Sequence, residues 1–458
     1  MYKQIKFYLF VPAIFVLLAT GCSKLLDVDS PRNHLTTDRV FEDSISAISA
    51  IGNIYYLLAN NLNSEYNKHM SLYTDEYAYT ASGSFQMEFF LGLLSNDNSP
   101  NTNIWSRFYE IIYSCNDILL KVPESTGLSD SMKGQLVNEA KFVRAFCYYH
   151  LYALYENVPL ILETDVNNNR LAAQSDSTAI FNQILDDLNN AKNGLEPNHP
   201  DGSKSRANTW SAGALLAQVY LFQNRWQEAF EESNNVLNSG LYTPIENVNN
   251  VFLSTSTETI LHLWRLNGFI SDGATLIPSS RTIVPQFVAT ELLLSLFEEG
   301  DSRRHSWFGE NQVLLDGQTQ SYWFPYKYKN RSADNNIPEY LVLLRASEQY
   351  LIRAEARAHL RDLTGAIADL NILRVRAGLE SLSEEGDLQR CLRLVSQERR
   401  VELFGEWAKR FIDLKRTGDL NAVMGNYKST WINGTSERLP IPMSEITYNK
   451  NLNQNVGY

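Results

Sequence analysis

The sequence has few of the residues on which enzymes and nucleic-acid binders usually depend. Only four of its 458 residues are cysteine. Cys115, Cys147 and Cys391 each fall in an apolar helical stretch, where a buried free thiol is the expected state. Three thiols cannot all pair, although a Cys115–Cys147 bond is open to an exported protein. There is no CxxC and no zinc spacing, so no metal site is expected. The seven histidines stand singly, at His34, His69, His150, His199, His262, His305 and His359, and form no HExxH. No GxSxG elbow, P-loop or GxGxxG is present, and no cofactor is expected. Basic charge is also in deficit. A net charge of −12 argues against nucleic acid, whose phosphates need clustered Lys and Arg. It disfavours polyanionic ligands too, unless a local basic patch overrides the global sign. Beyond the first segment no apolar run is long enough to span a bilayer.

That first segment is present and distinctive. Lys3 and Lys6 precede an apolar run, Phe7 to Leu18, broken only by Pro12 and ending at Ala19-Thr20-Gly21-Cys22. A positive start, a short apolar run and small residues before a cut site describe a secretory signal over residues 1–21. A cysteine directly after the small residues makes it a bacterial lipoprotein signal, with Cys22 taking the lipid after cleavage. Two or three acyl chains hold a protein stably on a membrane, where one does not. Loss of Lys3 and Lys6 takes the net charge from −12 to −14.

The mature chain, 22–458, reads as mainly α, with helical hairpins separated by long loops and minor β structure. Residues 207–239 place Ala217, Tyr220, Trp226 and Ala229 at the spacing of a tetratricopeptide (TPR) unit. There small residues let two helices cross closely. Residues 346–378 repeat the pattern with Ala354, Ala358, Leu363, Ala366, Leu370 and Leu373. Looser pairs span 134–195, with Ala140, Val143, Phe146, Cys147 and Leu151 on one face, and 43–121. Two inserts without a helical period, 62–103 and 240–345, interrupt the array, and such stretches are usually functional. Both are rich in aromatics and Asn. Thr259 to Trp264 alternates as a short strand does. Glu398, Arg399, Arg400 and Glu402 read as structural ion pairs between helices. Asp75 and Glu76, and Asp301, are the carboxylates that a glycosidase reading would need.

Four stretches, in order, resemble the SusD/RagB family. Asn138-Glu139-Ala140-Lys141-Phe142-Val143-Arg144 leads to Tyr155 and Val158-Pro159. Glu348-Gln349-Tyr350-Leu351-Ile352-Arg353-Ala354-Glu355 continues to Arg376-Ala377-Gly378. Glu398-Arg399-Arg400-Val401-Glu402-Leu403 is followed by Phe411-Ile412-Asp413-Leu414-Lys415-Arg416. Leu439-Pro440-Ile441-Pro442 precedes a closing Gln454-Asn455-Val456-Gly457-Tyr458. With the lipoprotein start, the resemblance runs from end to end. It implies a SusD-like fold of about four TPR hairpins decorated by loops that form the ligand site. It also implies a lipid-anchored protein on the outer-membrane surface of a Bacteroidetes-type cell. Its partner would be a SusC-like TonB-dependent transporter, to which it delivers a captured oligosaccharide without catalysis. A peptide ligand, as in the RagB branch, a surface glycoside hydrolase, and a TPR scaffold with no small ligand are the alternatives.

Sugar rings stack on aromatic faces while polar side chains take the hydroxyls. The expected ligand contacts are therefore Tyr79, Phe85 and Phe90 with Asn98 in the first insert, and Trp307 and Trp323 in the second.

Overall fold

The computed structural model describes residues 41–458 except 201, 245–246, 333–336 and 384–385, and, at 61, 63 and 64, the backbone only. The signal segment 1–21 and Cys22 lie outside the described residues. Thirteen described helices have eight residues or more. They are α1 Ser44–Leu57, α2 Asn63–Tyr73, α3 Ser84–Leu91, α4 Ser99–Lys121, α5 Asp130–Tyr155 and α6 Ser177–Gly194. There follow α7 Thr209–Phe222, α8 Trp226–Asn238, α9 Ala346–His359, α10 Leu363–Arg376, α11 Leu388–Leu403, α12 Lys409–Thr417 and α13 Leu420–Tyr427. The fold is mainly α.

Many of the starts and stops are written locally. Ser129, Asp176, Asp362 and Asp387 each accept a hydrogen bond from a first-turn amide, at α5, α6, α10 and α11. Asn208 and Ser211 exchange bonds in a capping box at α7. α5 stops where Glu156 takes a φ of 62°, two residues before Val158-Pro159, a pair that favours extended chain. Gly418, with a φ of 78°, closes α12.

Packing follows the hairpin pattern. α1 lies on α4, α5 on α6, α7 on α8 and α9 on α10, and neighbouring hairpins touch in sequence order. Ala140, Val143, Phe146, Cys147 and Leu151 are all buried, as are Ala217, Tyr220 and Ala229. α5 is enclosed because α4 and α6 cover it from two sides. The apolar interior divides into a large core and a smaller one. The smaller holds Leu351, Ala354, Ala358, Ala366, Leu370 and Leu373 with Cys391 and Val395 of α11. Cys115, Cys147 and Cys391 are buried free thiols, and burial raises the pKa of Cys115 and of Cys147.

The first insert departs from expectation. It is largely helical rather than irregular, with α2 and α3 inside it and a π-turn, Leu58–Leu62, leading into α2. Tyr66, Met70 and Tyr73, at i, i+4 and i+7, are buried. The polar residues between them hide this period in the sequence. The second insert carries most of the strands. β2, Thr259–Leu263, pairs antiparallel with β6, Leu341–Arg345, which runs straight into α9. β4, Phe308–Leu315, and β5, Gln318–Pro325, form a hairpin. Its turn residues Asp316 and Gly317 both have positive φ, of 49° and 79°, as a tight right-twisting hairpin requires. β1, Tyr77–Tyr79, from the first insert pairs with β3, Phe287–Ala289, from the second.

A buried ionic cluster fixes the second insert to the helices. Glu402 of α11 accepts hydrogen bonds from Arg303, Arg345 and Arg376, at 2.8, 2.6 and 2.6 Å. Arg303 also donates to Asp301 and Glu398. Arg345 also donates to Glu258 and Glu406, and Lys327 donates to Glu406. Charges this deep persist only when paired on all sides.

Candidate functional site

β1 and β3 are the point where the two inserts meet. This pair brings a segment inside the first hairpin together with one that follows the third. Tyr79 stands opposite Phe287 in register, with ring centroids 5.5 Å apart. The Thr80 hydroxyl donates to the Pro285 carbonyl and extends the seam. α3 packs on β1, and β3 packs on β5. The surface therefore runs from α3 across two short strands to the β4–β5 hairpin.

Along it the sequence-predicted residues separate. Phe85 is 40% exposed. Tyr79 is half-buried and turns its hydroxyl over Gly83, where an added Cβ would come within 2.6 Å of it. Phe90 is half-buried. It lies about 140° round the helix from Phe85, and its ring faces the Lys428 ammonium. Trp323 is half-buried on β5, and the Arg304 guanidinium lies 3.6 Å from its ring centroid. Phe85, Tyr79 and Trp323 thus keep aromatic surface towards solvent.

Asn98 and Trp307 do not. Asn98 is fully buried. Its side chain caps α4 through the Asn101 amide and donates to Glu88 and to the Phe85 carbonyl. Every polar atom is used in holding the loop, so none is left for a ligand. Trp307 is also fully buried. Its indole donates to the Val248 carbonyl, and the Lys327 ammonium lies 4.6 Å from the ring centroid. Both residues build the surface from below.

Two contributors went unpredicted. Phe287 backs Tyr79. Arg304 stacks on Trp323 and keeps a buried Nη1 with no acceptor among the described residues; burial holds its pKa below the ordinary arginine value. Elsewhere in the second insert Trp264, just after β2, is 50% exposed.

Lys428 shows how the surface is held rigid. Its buried ammonium donates to the carbonyls of Leu72, Tyr73 and Phe89. These lie at the C-terminal ends of α2 and α3, where the helix dipoles favour a cation. Burial still pushes its pKa well down. The carboxylates suited to catalysis are likewise occupied. Asp75 is clasped by Arg400 and Arg410 at 2.5 and 2.8 Å. Burial raises its pKa, but the two arginines outweigh that and hold it below the usual value. Glu76 is raised to about 7, first by burial, and accepts from the Ser71 hydroxyl. Asp301 is bonded to Arg303. No group of three or more His, Cys, Asp or Glu among the described residues could hold a metal ion.

This architecture has relatives. Residues 24–221 match the family described as "Starch-binding associating with outer membrane", and residues 315–458 match the SusD family. The span between them, 222–314, holds much of the second insert. SusD-like protein P25 of Formosa agariphila is 23% identical, over 94% of each chain. The starch-binding protein SusD of Bacteroides thetaiotaomicron is 24% identical, over 73% of this chain and 75% of its own. Among solved structures, a SusD superfamily protein from Bacteroides vulgatus superposes with a TM-score of 0.80 at 20% identity, covering 91% of this chain and all of that one. A laminarin-binding SusD-like protein gives 0.77 at 24% identity, with the same coverage. Order of helices, hairpin stacking and end-to-end similarity agree, and the chain belongs to the SusD/RagB family.

Proposed function

We propose that this protein captures an oligosaccharide at the cell surface and passes it to a SusC-like TonB-dependent transporter, held to the outer membrane by lipid on Cys22. The observation that carries the reading is the open aromatic surface of Phe85, Tyr79 and Trp323. It is assembled from two distant inserts on a framework of buried ion pairs. Flat rings give contact area to sugar faces at low entropic cost, and the Arg304 guanidinium stacked on Trp323 supplies donors beside them. The family description and the relatives named for starch and laminarin support a carbohydrate ligand. The engaged state of Asp75 and Asp301 supports capture over hydrolysis.

The test is titration of the mature chain with laminarin, starch oligosaccharides and a peptide mixture, with product analysis on the same samples. Saturable glycan binding, unchanged glycan and a tenfold or larger loss in Trp323→Ala are the expected results. Shortened products would replace the reading with a hydrolase, and binding of peptides alone would move it to the RagB type. Co-purification with a β-barrel transporter from native membranes tests the delivery step.

A further inference from the structure

A cavity of about 650 Å³ opens among the helices, within the range of small-molecule sites. It lies where α8 begins and α9 ends, and α11 and α12 complete its wall. Neither Tyr79, Phe85, Phe90 nor Trp323 lines it. Six cations do: Arg393, Arg399, Arg400, Lys409, Arg410 and Arg416. The acids among its lining are Glu76, Glu355, Asp413 and Asp419. Behind the lining, Asp75 pairs with Arg400 and Arg410, and Glu348 with Lys409, so what matters is which donors stay unpaired.

Pairing inside the wall is incomplete. The Arg399 side chain is 5% exposed. Its Nε and Nη2 donate to Asp413, each at 2.9 Å. Its Nη1 is buried with no acceptor among the described residues. Arg400 gives Nη2 to Asp75, and its Nε is buried without an acceptor in the same sense. A buried donor left unpaired costs about 1–3 kcal/mol. Arg393, exposed on α11, has no carboxylate within ion-pair distance among the described residues. Against these cations stands a flat wall, with the Trp226 and His359 rings stacked 3.8 Å apart and 4° from parallel. Leu392, Leu403 and Leu414 add apolar lining.

We propose that this cavity binds a small carboxylated ligand, with Arg399 and Arg400 holding the carboxylate and Arg393 at the entrance. A carboxylate offers one oxygen to the Arg399 Nη1 and the other to the Arg400 Nε, and the ring pair and leucines suit a compact body behind it. The shared chemistry is the carboxylate, which a uronate sugar or a short acidic peptide would bring. The site does not depend on the glycan reading of the insert surface.

Calorimetric titration of the mature chain with digalacturonate, with its neutral galactose disaccharide counterpart and with a glutamyl-glutamate dipeptide tests it. One acid or the other should bind saturably, the neutral disaccharide should not, and about 0.5 M salt should weaken binding. The acid that binds identifies the source of the carboxylate. Arg393→Glu and Ser396→Trp alter exposed positions on the cavity wall. They should keep the thermal midpoint while lowering affinity at least tenfold. The proposal is overturned if neither acid binds, if the neutral disaccharide binds equally well, or if both variants bind as the parent does.

Discussion

Arg345 and Glu402 are both buried, and the arginine Nη1 lies 2.6 Å from the glutamate Oε1. Arg303 and Arg376 reach the same carboxylate, which holds its pKa well below the usual range despite burial. Glu402→Gln leaves three guanidinium groups sharing a neutral amide. Breaking a buried pair from one side costs about 3–5 kcal/mol. Urea denaturation followed by circular dichroism should show a loss of that order. A loss below about 1 kcal/mol would mean that the cluster is hydrated and not a tie between insert and scaffold.

Two tryptophans of the second insert should behave in opposite ways. Trp307→Ala empties a fully buried site and should cost about 3–5 kcal/mol. Trp323→Ala removes a half-buried ring and should leave stability within about 1.5 kcal/mol, while weakening glycan binding. Parallel melting and calorimetry on both variants separate the two effects.

Glu76 gives the stability curve a sign that acids rarely have. Its folded pKa is raised to about 7, so the native state binds the extra proton between about 4.5 and 7. Stability contributed by this group therefore falls as pH rises through that window and is flat above it. Glu76→Gln should be near neutral at pH 5 and should stabilise by about 1–3 kcal/mol at pH 8. Equal effects at the two pH values would contradict it.

Two buried histidines act in the other direction. Burial lowers His69 to about 3 and takes His150 well below its ordinary value. Below about pH 6.5 the unfolded chain takes up protons that the native chain refuses, so stability drops as pH falls. The Tyr66 hydroxyl lies 2.7 Å from His150 Nδ1, and burial, then the nearby Lys409 ammonium, keeps that ring neutral. Denaturation midpoints taken between pH 6.5 and 4 should fall steeply, and His69→Gln should remove about one proton from the slope.

The helical framework was legible because its signals are local. Small residues at Ala217, Ala229, Ala354 and Ala366 announce close helix crossings, and the capping residues mark ends. α2 was hidden because Tyr66, Met70 and Tyr73 are spaced by polar residues that also suit a loop. The roles of Glu398, Arg399 and Arg400 in ion pairing were readable, since charges on an otherwise apolar helix must find partners. Their partners Arg303, Asp413 and Asp75 were not, because nothing local specifies contacts made 95, 14 and 325 residues away. The same limit explains Trp307 and Trp323. Both look like stacking residues in sequence, and only the pairing of β4 with β5 and the seating of Lys327 decide which one is covered. Arg304 went unnoticed because a cation stacked on a ring leaves no mark in either residue's surroundings along the chain.

The β1–β3 seam has a kinetic corollary. The Thr80–Pro285 bond joins positions 205 residues apart, and closing so long a loop carries an entropic cost before any contact rewards it. Two whole hairpins and the second helix of the first lie between the two strands, so the seam is expected to close late in folding. The aromatic surface then works as a certificate of completion. A chain in which either insert is out of place presents no joined face.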